Sequence, residues 1–245
     1  MGDVEIHTKP NLKKLKKPTI IIGLPGTGLV GSVAASQIVE ALHMEFGGHI
    51  SSPDFAPLAA IHNYTPLPAA RIHYSAKDNI IVIISEMSIP VSSSSELADK
   101  IYQFSRSVDA ASIISLGGIS LNEEKGEVYL VSSDSGIIKE AAKKKIAKPI
   151  REGATTGVTG ILLTKGTLEN FPISTILAES SEEYLDPKAA SKVIKVLSKI
   201  TGLVISTARL DKEARELARD IKESVRKARI SKKGPSADEG GTMYG

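Results

Sequence analysis

Short apolar runs alternate with amphipathic stretches along most of the chain. Thr19-Ile20-Ile21-Ile22 is almost wholly β-branched and predicts a buried strand. Four glycines follow around Pro25, at positions 23, 26, 28 and 31, and predict a tight turn with a close backbone approach. Beyond it Val30, Ala34, Ile38 and Ala41 recur at helical spacing. Together these make the opening half of a βαβ crossover. Ile80-Ile81-Val82-Ile83-Ile84 is apolar at every position and predicts a central strand with both faces covered.

Other elements read less directly. The first eighteen residues are polar and basic and predict an arm or a short edge element before the first strand. Phe46 to Leu58 predicts a short strand and a loop. Ala59 to Tyr64 and Arg71 to Tyr74 predict two strands joined by a rigid turn, Thr65-Pro66-Leu67-Pro68. Ser92 to Ser95 offers helix caps, and Leu97, Ile101, Phe104 and Val108 mark the buried face of the helix that follows. A strand over Ser112 to Leu116 is expected to end at Gly117-Gly118. Another covers Glu127 to Val131, then a Lys-rich helix Ile137 to Ala147. A second glycine- and threonine-rich turn spans Gly153 to Gly160, and the last strand spans Ile173 to Ala178. Asp186-Pro187 is an N-cap followed by a first-turn proline, and Gly202 stops that helix. The alternation predicts an α/β fold, a mostly parallel sheet flanked by helices on both faces, with C-terminal helices and a flexible tail. The expected divisions are a core domain over residues 1–202, a charged helix over 203–233 and a tail over 234–245.

The charged helix carries Leu210, Ala214, Leu217, Ile221, Ser224 and Ala228 at gaps of four and three, a heptad seam. Leu210, Ala214, Leu217 and Ile221 are therefore candidates for a subunit contact, with packing on the parent domain as the alternative. Residues 234 to 241 hold nothing that can be buried.

Composition narrows the chemistry. Zero cysteines remove disulfides, thiolate metal sites and cysteine nucleophiles, and fit a cytoplasmic protein. Tryptophan is absent and the net charge is only +3, which argues against a nucleic-acid platform. No apolar run approaches the ~20 residues of a membrane span. The five histidines have no metal-ligand spacing, and no Gly-x-Ser-x-Gly elbow is present. Glu86 stands alone at the end of the central strand, and the acidic run from Glu179 to Glu183 reads as a solvated loop. The expectation is a protein with no cofactor, no metal and no catalysis. One alternative stays open: Gly26-Thr27-Gly28-Leu29-Val30-Gly31 satisfies a dinucleotide pattern. Against it, Pro25 stiffens the approach, and Asp54, the one carboxylate near the ribose-binding distance, follows Pro53 outside any strand pattern. The P-loop reading fails because Leu29 stands where a lysine is needed.

Four segments carry a family resemblance: the Pro18 to Gly31 loop, His62-Asn63-Tyr64-Thr65-Pro66-Leu67-Pro68, Gly157-Val158-Thr159-Gly160-Ile161-Leu162-Leu163, and Tyr184-Leu185-Asp186-Pro187-Lys188-Ala189-Ala190. They make the chain resemble the archaeal proteasome-assembly-chaperone family across most of residues 18 to 210, with Leu185 in place of the usual proline. The resemblance implies a nucleoside-phosphorylase-like fold that has lost catalysis, self-association into a homo-oligomer such as a tetramer, and binding to proteasome α-subunits. The last residues, Met243-Tyr244-Gly245, have the hydrophobic–tyrosine–any-residue pattern by which such partners dock. On that implication Tyr244 and the Gly245 carboxylate enter pockets between α-subunits, with Met243 at the rim.

Overall fold

The computed structural model describes residues 3–62, 64–121, 125–181 and 185–219. A nine-stranded mixed sheet forms its centre, in the order β1-β3-β6-β7-β2-β8-β11-β9-β10. The strands are β1 Glu5–Thr8, β2 Thr19–Gly23, β3 Glu45–Ser51, β6 Ala70–Ser75, β7 Ile80–Ser85, β8 Ser112–Ile119, β9 Val128–Ser132, β10 Lys148–Pro149 and β11 Ile173–Glu179. The four inner strands β7, β2, β8 and β11 run parallel, and antiparallel pairing begins on either side of them at β6 and β9. The isoleucine runs supply those inner strands because only residues apolar on both faces suit a strand covered twice.

Strand periodicity then divides the core in two. Ile20, Ile22, Ile81, Ile83 and Ile113 point to one side, where they meet Leu97, Ile101 and Phe104 of α2 (Val91–Ser107) and Val158, Leu162 and Leu163 of α4 (Gly157–Leu168). Ile21, Val82, Ile114 and Ile176 point to the other. There they meet Ala34 and Ile38 of α1 (Val30–Ala41), Ala141 of α3 (Ser135–Lys143), and Val193 and Leu197 of α5 (Pro187–Thr201). Each such isoleucine is wholly or almost wholly shielded, worth about 1.5–3 kcal/mol against exposure. Residues 208–219 form a further helix, α6, anchored by the fully buried Leu210.

Most expected elements are present, with four corrections. Thr65–Pro68 is a strand rather than a turn: β4 (Ala59–His62) pairs with β5 (Thr65–Pro68) in a separate hairpin. Pro66 and Pro68 lie two residues apart, so their missing N–H groups fall on the same outer edge and spare the pairing. The glycines at 117 and 118 do not end β8, which runs on to Ile119 beside β11. Gly118 is bare because a Cβ there would stand 2.3 Å from the Thr27 carbonyl oxygen. The Gly153 to Gly160 segment is in its second half the start of α4; burial of Val158, Leu162 and Leu163 outweighs the poor helix propensity of glycine and threonine. The serines at 92 to 95 do not cap α2. Pro90 holds the cap position, and the Ser94 hydroxyl donates back to its carbonyl at 3.2 Å.

At α5 the expected signals do their work. The Asp186 carboxylate accepts from the Ala189 N–H at 2.9 Å, and Gly202 closes the helix at φ 77°.

Candidate functional site

The glycine loop joins β2 to α1 over the carboxyl ends of the parallel strands. A Cβ at Gly23 would lie 2.2 Å from the Gly31 carbonyl oxygen, and one at Gly31 would lie 2.4 Å from that of Leu116. These two glycines let the helix press onto the sheet. Gly28 is left-handed at φ 61°, accepts from the Asp186 N–H at 3.0 Å, and has the Ser180 hydroxyl where a side chain would be. Three of the four glycines are thus spent on contacts within the chain, and the surface a pyrophosphate needs at Gly28 and Gly31 is occupied by protein. Gly26 differs: nothing lies within 4 Å of its Cβ position. Asp54 sits exposed in the loop after β3.

Beside Gly26 lies a cleft of about 330 Å³ between the ends of β2, β8 and β11 and the first turn of α4. Its lining includes Thr27, Ser115, Thr155, Thr156, Thr159 and Thr175, and none of the described residues that line it is charged. The Ser115 and Thr159 hydroxyls are 2.9 Å apart and share a hydrogen bond.

Glu86 is not a lone carboxylate. Arg71 Nη2 donates to Glu86 Oε1 at 2.6 Å, and His62 Nε2 lies 2.8 Å from the same oxygen. The guanidinium is buried, and it joins β6 to β7 while His62 ties the β4–β5 hairpin to both. Behind it lies His73, which packs edge-on to Phe46 at 5.9 Å. Burial first and the Arg71 guanidinium second push its pKa down to about 4, against a weaker opposing pull from the Met44 backbone.

A second acid, Glu179, ends β11 and is buried. Burial pushes its carboxyl up, but the Glu127 N–H at 3.0 Å and the Tyr129 hydroxyl at 2.8 Å outweigh that and hold it below the usual range. The same bond pushes Tyr129 up to about 12. Glu179 thus braces the β9–β11 pair, while Glu182 and Glu183 of the acidic run lie outside the described residues. Of the other histidines, His7 stacks on His49 at 4.6 Å. Among the described residues no three His, Asp or Glu side chains gather as a metal would require, and no helix is long and apolar enough to cross a membrane.

The seam residues separate. Leu210 is fully buried against the sheet-facing helices of its own chain. Asp211 locks that turn in place, bound to Ser191 at 2.5 Å, Thr207 at 3.0 Å and Lys195 at 3.0 Å. Ala214 and Leu217 line a shallow apolar depression with Leu185 and Pro187. Ile221, Ser224 and Ala228, and the tail with Met243, Tyr244 and Gly245, lie outside the described residues. The sequence reading missed the hairpin as a surface: Ile61 is 74 % exposed and Tyr64 fully so. Proline content concealed its strand, although apolar residues beside a Pro-rich edge are the signal that marks it.

Residues 20–225 match the PAC2 family. The chain belongs to the PAC2 family. Among solved structures this PAC2 chain is similar to Pyrococcus furiosus PbaA, described as an archaeal homolog of proteasome-assembly chaperone. The two are 29 % identical, with 94 % of this chain and 96 % of that one covered and a TM-score of 0.81. It is also similar to Pyrococcus furiosus PbaB, described as an archaeal proteasome activator, at 28 % identity, 91 % and 99 % coverage and a TM-score of 0.78. An uncharacterised protein of Methanocaldococcus jannaschii, MJ0106, is 29 % identical over 210 residues, 86 % of each chain. The expected family and the α/β fold are both present.

Proposed function

We propose that this PAC2 chain is a non-catalytic proteasome assembly chaperone or proteasome-binding protein that docks by Met243-Tyr244-Gly245 between α-subunits of the core proteasome. The observation that carries the reading is its likeness, over more than nine-tenths of its length, to two Pyrococcus proteins, one described as a homolog of proteasome-assembly chaperone and the other as a proteasome activator. The structure adds support from the carboxylates. Glu86 and Glu179 both sit where an α/β enzyme places catalytic groups, and both are consumed in holding strands together. In the tail a tyrosine supplies apolar area with few rotors to freeze and a hydroxyl for the pocket wall. A three-residue anchor is weak by itself, so an oligomer presenting several tails gains by avidity, about 10²–10⁴ where two engage together.

Binding to recombinant α-subunit rings tests the reading. Deleting residues 243–245, or changing Tyr244→Ala, is expected to weaken capture while fold and mass stay unchanged. Undiminished capture by both variants removes the tail from the proposal, and no capture by the parent chain removes the function. The homo-oligomer belongs to the same proposal, with Leu217 and Ile221 at the contact. Leu217→Lys with Ile221→Lys is expected to lower the mass seen by light scattering. An unchanged mass in a folded double variant refutes the contact.

A further inference from the structure

The cleft beside Gly26 has a property that chaperone work does not call for. Thr175, in the middle of β11, is 1 % exposed, lines the cleft, and has a hydroxyl with no hydrogen-bond partner. A buried hydroxyl left unbonded costs about 1–3 kcal/mol, and valine has the same shape without that cost. Something therefore has to be gained from threonine here. The same cleft receives the first turn of α4, a twelve-residue helix whose N-cap, Thr156, makes no side-chain capping bond and whose first turn holds no acid. Its leading N–H groups and the positive end of its dipole are uncompensated. Ser94, from the first turn of α2, lines the opposite side, and that helix also lacks a side-chain cap and a first-turn acid.

Gly26 is the third observation. Its φ of −170° is extended backbone open to any residue, and nothing stands within 4 Å of where a Cβ would be. Neither backbone strain nor packing requires glycine there. Gly26 lines the cleft, and a methyl group there would occupy open space at its edge.

We propose that this cleft binds a small phosphate-bearing molecule. Its phosphate oxygens accept from the Thr175 hydroxyl and the free N–H groups that open α4. The chemistry selects an oxyanion: two helix N-termini favour negative charge, hydroxyls and N–H groups donate, and no carboxylate among the lining residues opposes it. Size limits the rest of the molecule. The volume of about 330 Å³ is near the lower bound of small-molecule pockets, roughly 300–1,000 Å³, which suits a phosphomonoester of a few carbons and excludes a dinucleotide. The site is centred on α4 and β11 and leaves the packed glycines of the β2–α1 loop unused.

Calorimetric titration of the full chain with inorganic phosphate and, separately, with glycerol 3-phosphate tests the proposal. At least one is expected to bind at one per chain. Thr175→Val and Gly26→Ala should each weaken that binding by about tenfold or more, the first by losing a bond to a charged group and the second by filling space. Thr175→Ser should keep most of it. Tighter binding of glycerol 3-phosphate assigns the remaining cleft to the ligand's carbon skeleton; tighter binding of inorganic phosphate confines the site to the oxyanion, and either supports the proposal. Without ligand, Thr175→Val should be as stable as the parent chain or more so, which a purely structural hydroxyl would not allow. Absence of heat with both probes at millimolar concentration overturns the proposal. So does unchanged affinity in Thr175→Val, whatever Gly26→Ala shows. Should Thr175→Val fail to fold, unchanged affinity in Gly26→Ala overturns it and weakened affinity supports it.

Discussion

Stability should fall between pH 7 and pH 5 because of one buried imidazole. In the folded chain His73 is held neutral down to about 4, while in the unfolded chain it titrates near 6.5. Between those values the unfolded state binds the extra proton, so stability is complete above about 6.5 and is lost as pH falls towards 4. Single-site linkage between the folded and unfolded pKa values gives a loss of about 2 kcal/mol at pH 5. That figure is roughly an eighth to two-fifths of a typical domain's stability of about 5–15 kcal/mol, so it is measurable. Burial lowers His49 as well, with help from His7, and adds a loss of the same sign. The variant His73→Phe separates the two, since the aromatic ring keeps the packing on Phe46 and removes the proton site. Urea midpoints at pH 7 and pH 5 should fall further for the parent chain than for His73→Phe. The low-pKa carboxylates contribute little at pH 5: Asp211 and Glu179 are held down and their stabilisation is lost only at lower pH. Equal losses in both proteins refute the argument that desolvation keeps His73 neutral.

Glu86→Gln should destabilise the chain by about 2–4 kcal/mol in urea, because it leaves the buried Arg71 guanidinium without its anion; Glu86 is itself partly exposed, which keeps the cost below that of a fully buried pair. In the same variant hydrogen exchange should quicken in the β4–β5 hairpin, which His62 ties to that carboxylate. Gly31→Ala should cost at least about 1–3 kcal/mol, or prevent folding, since its methyl carbon would meet two backbone oxygens at 2.4 and 2.7 Å; a soluble variant with an unchanged melting midpoint contradicts the packing role.

The central half of the fold is legible in sequence because its signals are local. Ile80 to Ile84 is a buried strand by composition, and Leu97, Ile101 and Phe104 declare their helix by spacing. Asp186 and Gly202 mark the two ends of α5 by chemistry that acts within one turn. The hairpin and α4 are hidden because tertiary pairing overrides what Pro66, Pro68 and Gly157 suggest locally. The site is hidden for another reason. Nothing in the spacing of His62, Arg71 and Glu86 announces one cluster, since 9 and 15 residues separate them from the arginine. Thr175 reads as an ordinary strand threonine until β8, β11 and α4 enclose it. The dinucleotide pattern misleads because glycines needed for close packing and glycines needed for a phosphate look alike as letters.

The position of β2 has a consequence during synthesis. It is the second strand made, yet its two neighbours are β7 and β8, and its partner residue Ser112 lies 93 positions downstream of Thr19. At roughly 5–20 residues per second the ribosome needs about 5–20 s to deliver that partner. For that interval the β8 edge of three isoleucines stays open, and until β7 emerges both edges do, long after α1 has had time to coil beside them. Parallel pairings across such distances are slow to form and vulnerable while they wait. A protein read as a helper of assembly therefore begins its own life with a bare apolar strand exposed.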